Sequence, residues 1–518
     1  MFQGASTMDS VVEFYKAWQP DLNTLYMCLP EILLGVLALL ALVFDVVCKS
    51  CAATRAARGF ISAALVAMFI CAIGGAFPSP SLEAIMAPGL FFSFGKISIW
   101  LVLFIACAFL AINLSGIVRS REGNAEISAP ATTHLILIAT AAASLLLKAT
   151  NFVAFFVLLE TLTVCLYALV GSNRNSAYSL EAGVKYLIAG GISGGLMLFG
   201  IVLLYGGAAM SGAPVLTSEP LSYGTVFVFL TQNPESLLGL AGAGLVLAGV
   251  MFKLGVFPMQ FWIPDVYQGA PSHVTFFLAT FSKATGFFLV LPMLATFSPI
   301  WGKLLPVLLA CALVSMVYAN VTALGMRNVK RLLGLSGVSH AAYLMVGVLG
   351  AWQVASSGNA EMAALCVTLV IAYIVVYILT IYPIFSVMSR MPQANDALQN
   401  FDDYEGLSKN NPLLAGTLAF GLGSLAGIPP TVGFIAKLGI LFVLFQAGFY
   451  GTIAVMLGCV VVSIYYYFGW FRAAFTGGEN APAKTYLPVG LCSRVVLIAF
   501  SALMVLASLG YWCVIRGI

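Results

Sequence analysis

Apolar residues run along this chain in blocks of about twenty, the length an α-helix needs to cross a bilayer, with polar residues gathered between the blocks. The blocks lie near 25 to 48, 60 to 78, 97 to 118, 130 to 147, 150 to 171, 183 to 206, 237 to 262, 274 to 297, 304 to 325, 332 to 351, 362 to 388, 412 to 447, 451 to 471 and 492 to 515, and they predict fourteen membrane-spanning helices. A β-barrel is excluded, because barrel strands read as about ten alternating residues. Two blocks are interrupted. One contains Phe252-Lys253-Leu254-Gly255-Val256-Phe257-Pro258, and the other, too long for one straight span, runs through Gly427, Pro429 and Pro430 to Lys437. Proline removes a backbone donor and glycine loosens the turn. Gly255, Pro258, Gly427, Pro429 and Pro430 therefore predict helix breaks whose freed backbone groups must face a buried, partly hydrated cavity. Discontinuous helices in two halves of a chain point to an inverted-repeat transport fold.

Composition agrees with the pattern. Of 518 residues 61% are hydrophobic and 8% charged, against about 25% charged in soluble domains, so the chain is read as an all-α polytopic membrane protein. Sorting its basic residues by side tests orientation. With the N-terminus outside, the inner side receives Lys49, Arg55, Arg58, Arg119, Arg121, Arg174, Arg327, Lys330, Arg331, Arg390, Lys409, Arg472, Lys484 and Arg494, and the outer side only Lys16, Lys96, Lys148, Lys303 and Arg516. The remaining four of the 23 basic residues are Lys185, Lys253, Lys283 and Lys437, all within apolar blocks. The net charge of +4 thus reports topology and not affinity for nucleic acid. The first 24 residues are mixed polar and lack a basic stretch leading into a short apolar core, so the first span itself is expected to direct insertion.

Each charge placed at a bilayer centre costs about 2.5–3.5 kcal/mol on insertion scales. The four lysines and the mid-block acid Glu160 are therefore candidates for a proton or ion path. His340, nine to ten residues into the helix that follows Lys330 and Arg331, falls near mid-membrane and joins them. His273, beside Pro271 at a helix start, is expected in a structural or capping role. Lys185 follows Glu181 by four residues, which leaves open a pair along one helix face with a snorkelling side chain. Glu31 and Asp45 bracket the first helix and are expected to contact neighbouring subunits. The eleven cysteines are scattered, and the close pair Cys48 and Cys51 is weak as a metal or redox signal, so they read as small apolar fillers. No cysteine cluster run, phosphate loop or dinucleotide glycine motif occurs, and no cofactor or metal is expected in this chain.

The halves match in spacing. Glu160 to Lys253 is 93 residues and His340 to Lys437 is 97, and the segments 130–297 and 304–471 each hold five helices. Five being odd, the second copy is inverted. The predicted organisation is an N-terminal arm with three helices (1–129), two inverted five-helix repeats (130–297 and 304–471), each with a discontinuous helix, and a C-terminal loop with the last helix (472–518).

The stretches Phe252 to Pro271 (FKLGVFPMQFWIPDVYQGAP), Asn328 to Tyr343 (NVKRLLGLSGVSHAAY) and Ser424 to Lys437 (SLAGIPPTVGFIAK), with Tyr465-Tyr466-Tyr467, resemble the antiporter-like subunit N, or chain 2, of the proton-pumping NADH:quinone oxidoreductase, respiratory complex I. The resemblance covers roughly residues 25 to 515. The PDVYQGAP run disfavours the alternative, a large subunit of a multi-subunit cation/proton antiporter or a related ion-pumping hydrogenase complex. A purely structural spacer is disfavoured because it would have no use for buried charges.

The resemblance implies fourteen helices with two inverted five-helix repeats. It carries proton-translocation roles to Glu160 (in LLETL), Lys185 (EAxxKY), Lys253 (FKLxxxP), Lys283 (ATxSKA), His340 (SxxSHxxY) and Lys437 (GFxxK). The implied function is a membrane-arm subunit that translocates protons while electrons pass from NADH to quinone in partner subunits. NADH, FMN, iron-sulfur clusters and quinone are then expected in the parent complex. The expected partners are other membrane-arm and peripheral-arm subunits and the lipid bilayer. A bacterial inner membrane is expected, with both termini on the outer, periplasmic side, an organelle membrane being the alternative. Burial disfavours the charged form of a lysine and a nearby carboxylate favours it. The Glu160 and Lys253 pair is thus expected to set proton affinity along a row in which Lys283 passes the proton laterally, His340 bridges the halves and Lys437 loads or releases it. The eleventh span, IAYIVVYILTIYPIF, departs from the family's usual Gly-Ala-Phe sequence, and the loop from Arg390 to Asn411 diverges. Both departures are expected to alter packing and lateral contacts, not the ionisable axis.

Overall fold

The computed structural model describes residues 26–47, 51–74, 97–121, 130–211, 221–391, 396–476, 489 and 491–516. Its helices are α1 (Leu29–Val47), α2 (Cys51–Ile73), α3 (Ile97–Arg121), α4 (Pro130–Leu146), α5 (Phe152–Val170), α6 (Ala177–Met210), α7 (Tyr223–Gln232), α8 (Leu237–Leu254) and α9 (Ile263–Gly269). They continue as α10 (Ser272–Phe277), α11 (Lys283–Thr296), α12 (Trp301–Ala323), α13 (Val329–Ser356), α14 (Ala360–Met388), α15 (Pro412–Ala426), α16 (Val432–Gln446), α17 (Tyr450–Phe475) and α18 (Leu491–Arg516). A π-helical turn, Leu278–Ser282, joins α10 to α11. Among the described residues eleven segments are long and apolar enough to cross a membrane. With α4, the two-part α15–α16 and α18 they match the expected spans one for one. Outward positions such as Val36, Leu39, Val157, Val202 and Val461 are exposed and apolar, suited to lipid or to apolar neighbours in the membrane. The α10–α11 segment and α13, by contrast, are buried along their length and form the centre of the molecule.

Local backbone chemistry repeats between the halves. The helices carrying Glu160 and His340 both start at an asparagine N-cap, Asn151 accepting from Ala154 N and Asn328 from Lys330 N and Arg331 N. Each cap lies in an isolated antiparallel bridge, Asn151 with Ser222 and Asn328 with Asn400. Both interrupted helices end in the same way. Gly255 (φ 73°) and Gly427 (φ 77°) adopt the left-handed conformation, which costs an L-residue with a Cβ about 1–2 kcal/mol. The next amide, of Val256 or Ile428, closes back on Met251 O or Gly423 O, each at 3.0 Å. A cis peptide follows each, Phe257–Pro258 and Pro429–Pro430.

Several expectations change. The second span begins nine residues earlier than its apolar block, at Cys51. The sixth helix is 34 residues long, about 51 Å at 1.5 Å per residue, longer than a hydrocarbon core of about 30 Å. The seventh span stops at Leu254 and does not reach 262. The chain resumes helix only at α9, and the short α7 lies between α6 and α8. Glu31 does not reach outward to a neighbour. It is buried, accepts from Ser144 Oγ at 2.5 Å and pairs with Lys148 at 2.7 Å, tying α1 to the end of α4. Cys48 and the polar residues Asp9, Glu13, Lys16 and Asp21 lie outside the described residues.

Candidate functional site: a buried row of ionisable side chains

Lys253 occupies the last turn of α8, where unpaired helix carbonyls favour a cation. Its side chain is buried, and Nζ donates to Thr163 Oγ1 at 3.1 Å. Thr163 lies one turn along α5 from Glu160 on the same face, which puts the Glu160 carboxylate and the Lys253 ammonium within electrostatic reach of each other. The carboxylate rests against α6 at Gly194, where a Cβ would stand 2.7 Å from Glu160 Oε1. The end of α8 packs on α11 one turn past Lys283, a Cβ at Gly286 falling 2.9 Å from Leu254 Cδ2. This contact brings the first pair next to the centre.

At the centre Lys283 follows directly on the π turn, a kind of defect that recurs at functional sites. Its Nζ donates to Gly337 O on α13 and to Tyr377 Oη on α14 at 3.4 Å, and lies 5.1 Å from the Tyr377 ring centre. The Tyr377 ring is 5.2 Å from the His340 ring. His340 Nδ1 is 2.7 Å from the Tyr373 hydroxyl, and its ring is 5.8 Å from that of Tyr343. Lys437 Nζ lies 5.9 Å from the Tyr343 ring centre and donates to Ala426 O, the last carbonyl of α15, at 2.8 Å. Lys283, Tyr377, His340, Tyr343 and Lys437 thus form a continuous buried row across α11, α14, α13 and α16. Beside His340 a cavity of about 10 Å³ is lined by Tyr373, Tyr377, Thr380, Ser424 and Gly433, room for about one water. Thr380 and Ser424 hydroxyls are 2.9 Å apart there.

The structure brings together Glu160 with Lys253, and Lys283 with His340 and Lys437. It does not bring Lys185 to them. The Lys185 side chain is 45% exposed and pairs with Glu181 and Asp265, each at 2.7 Å. Asp265 also pairs with Arg331 at 2.9 Å, and Arg331 donates to Gln268 at 2.8 Å, so the PDVYQGAP run is gripped at its polar positions. The two break lysines are not in equivalent register. Lys253 stands two residues before Gly255 and Lys437 ten residues after Gly427: the Lys437 side chain reaches back across the break to the carbonyl end of the first half-helix, whereas Lys253 sits in the last turn of its half-helix and turns to Thr163. His273 caps nothing: neither of its ring nitrogens has a hydrogen-bond partner among the described residues.

Tyr373 and Tyr377 were missed in the sequence, and they lie in the eleventh-span segment whose departure from the family was expected to spare the axis. That expectation is corrected, since both rings touch His340. Their spacing of four residues places them on one face of α14, which is the signal that would have found them. Among the described residues no group of three or more His, Cys, Asp or Glu side chains is arranged to hold a metal ion.

Residues 149–463 match the family model described as NADH:quinone oxidoreductase/Mrp antiporter, TM. An NADH-quinone oxidoreductase subunit N 1 from Opitutus terrae is 46% identical over 398 residues, 74% of this chain and 76% of that protein. A subunit N from Rhodospirillum rubrum is 28% identical over 94% of this chain and 95% of its own. Among solved structures, a chain of respiratory complex I from Thermus thermophilus has the same fold, with a TM-score of 0.71 at 24% identity, covering 93% of this chain and 97% of that one. So does a chain of the Mrp complex from a Dietzia species, with a TM-score of 0.70 at 18% identity, covering 94% and 95%.

Proposed function

The chain belongs to the NADH:quinone oxidoreductase and Mrp antiporter membrane family, in its subunit N branch, and from that premise we propose that its buried row of ionisable side chains is the path by which it moves protons. As a membrane-arm subunit of NADH:quinone oxidoreductase it works in a proton-translocating enzyme whose electron transfer from NADH to quinone takes place in partner subunits. The FMN and iron-sulfur clusters belong to those partners. The distribution of basic loop residues supports both termini lying on the outer face of a bacterial inner membrane. The matched caps, bridges and helix breaks support two inverted five-helix repeats.

The observation that carries the reading is the unbroken sequence of contacts from Lys283 through Tyr377, His340 and Tyr343 to Lys437. Lysines in such surroundings exchange protons more readily than solvated ones, and imidazole and phenol groups each donate and accept hydrogen bonds. Glu160 and Lys253 form the charge pair at one end, and a change in charge beside them shifts the preferred protonation of the row. Lys185, exposed and ion-paired, acts on the row only through its hold on α9. The antiporter reading is weakened by the 46% identity to a protein named as a subunit N.

The test is Lys283→Met in the assembled complex in inverted membrane vesicles, with NADH oxidation and proton uptake followed together. The expected result is loss of proton uptake and of the coupled NADH oxidation. Uptake at the unaltered ratio to NADH oxidised would remove Lys283 from the path.

A further inference from the structure

A second buried group of titratable side chains lies away from the row, where α10 and α13 begin. Lys330 is fully buried, and its Nζ donates to Asp396 Oδ2 at 2.6 Å and to Ala270 O at 2.8 Å. Asp396, in the divergent loop after α14, also accepts from Ser272 N at 2.8 Å, Ser272 Oγ at 2.8 Å and Gln399 Nε2 at 2.9 Å. The loop carboxylate therefore caps α10 from a distance and pairs with α13. Next to Ser272 stands His273, 5% exposed, with Asp396 and Lys330 as the charges acting on it.

A neutral imidazole carries one donor and one acceptor, and leaving either buried without a partner costs about 1–3 kcal/mol. Both His273 nitrogens are in that condition among the described residues. An apolar side chain would fill the position without that cost. Buried polar atoms of this kind are normally met by water, and the charged groups beside His273 are not sealed from solvent: the Asp396 side chain is 13% exposed, and Arg331 and Asp265 at the same end are 35% and 32% exposed. Position adds a second observation. His273 precedes Lys283 by ten residues and Lys330 precedes His340 by ten, about 15 Å of helical rise in each case. Both central helices thus run from this cluster to the middle of the row.

We propose that His273, set against the Lys330 and Asp396 ion pair, is a proton-loading site at the basic-rich end of the chain and feeds Lys283 from water that enters past Asp396. A hydronium ion gives its proton to one imidazole nitrogen and becomes water. The imidazolium then releases a proton from its other nitrogen through water to neutral Lys283, which becomes an ammonium, and His273 is neutral again. Lys330 and Asp396 stay ionised throughout and cancel each other's charge, which keeps the imidazolium from facing a lone buried cation. The proposal rests on the reading of Lys283 as a proton carrier.

The test is His273→Cys in the assembled complex, treated with a membrane-impermeant cationic thiol reagent and read by mass spectrometry at position 273. Modification is expected in inverted vesicles, whose inner face is outward, and not in right-side-out ones. An introduced thiol that is unreactive from both sides, or reactive only from the outer side, overturns the proposal. In parallel, assembled His273→Gln, which keeps hydrogen bonding but does not carry a proton in this range, should lower coupled NADH oxidation by roughly tenfold or more. An unchanged rate in assembled His273→Gln overturns the proposal as well. Reactivity of the introduced thiol does not depend on Lys283. Failure of the row alone would leave that thiol reactive while Lys283→Met pumps normally, and failure of the loading site alone would leave it silent while Lys283→Met is inactive.

Discussion

His340 Nδ1 and the Tyr373 hydroxyl lie 2.7 Å apart in the buried centre, joining α13 to α14. Tyr373→Phe keeps the ring and removes the partner, so the imidazole loses its fixed orientation and Nδ1 is left buried at a cost of about 1–3 kcal/mol. The expected outcome is an assembled complex with a lowered coupled NADH oxidation rate and lowered proton uptake, measured in inverted vesicles. Wild-type values for both would show that His340 does not need this bond.

Lys437 donates to Ala426 O at 2.8 Å from across the helix break, with Gly427 beneath its side chain. Lys437→Met keeps length and bulk but cannot carry a proton, and it should abolish proton transfer in the second half. Lys437→Arg keeps the charge and does not deprotonate, so it should fail nearly as badly. If arginine restores pumping where methionine does not, Lys437 is an electrostatic fixture and not a relay.

Glu160→Ala should impair proton uptake and quinone reduction together, because the charge that holds a proton on Lys253 is gone. Gly194→Ala should act in the same direction more weakly, since the new methyl would stand 2.7 Å from the present position of Glu160 Oε1 and must displace it. Full coupled NADH oxidation in assembled Glu160→Ala is the result that counts against the pair.

Lys185→Ala should be mild. Its partners Glu181 and Asp265 are partly to well exposed, at 59% and 32%, and exposed pairs contribute about 0.2–1 kcal/mol. NADH oxidation with proton uptake should stay close to wild type, and a loss as deep as that of Lys283→Met would move Lys185 into the path itself.

The Glu31 and Lys148 pair should matter to assembly and not to transfer. Breaking a buried pair by removing one partner costs about 3–5 kcal/mol. Glu31→Ala should therefore lower the yield and thermal stability of the complex while the ratio of protons taken up to NADH oxidised in the surviving fraction is unchanged. A changed ratio at normal yield would give the pair a part in transfer.

The sequence by itself determined the spans, the breaks and the identity of the buried charges, because all three are local. A span is a run of apolar residues, a break is a glycine with a proline, and a lysine within twenty apolar residues is conspicuous without knowledge of its neighbours. Only the tertiary structure decided which charges meet. Lys185 lies in an apolar block, yet its side chain is 45% exposed and in contact with Asp265, 80 residues away. Lys437 sits beyond its break but turns back to it, and Lys283 reaches Tyr377, 94 residues distant. Tyr373 and Tyr377 read as ordinary apolar-face residues of a spanning helix, and the Lys330 and Asp396 pair read as two loop charges. A tyrosine or an aspartate takes its chemistry from whichever group lies within hydrogen-bond reach, and that is set by the packing of α13 against α14, the loop after α14 and α10.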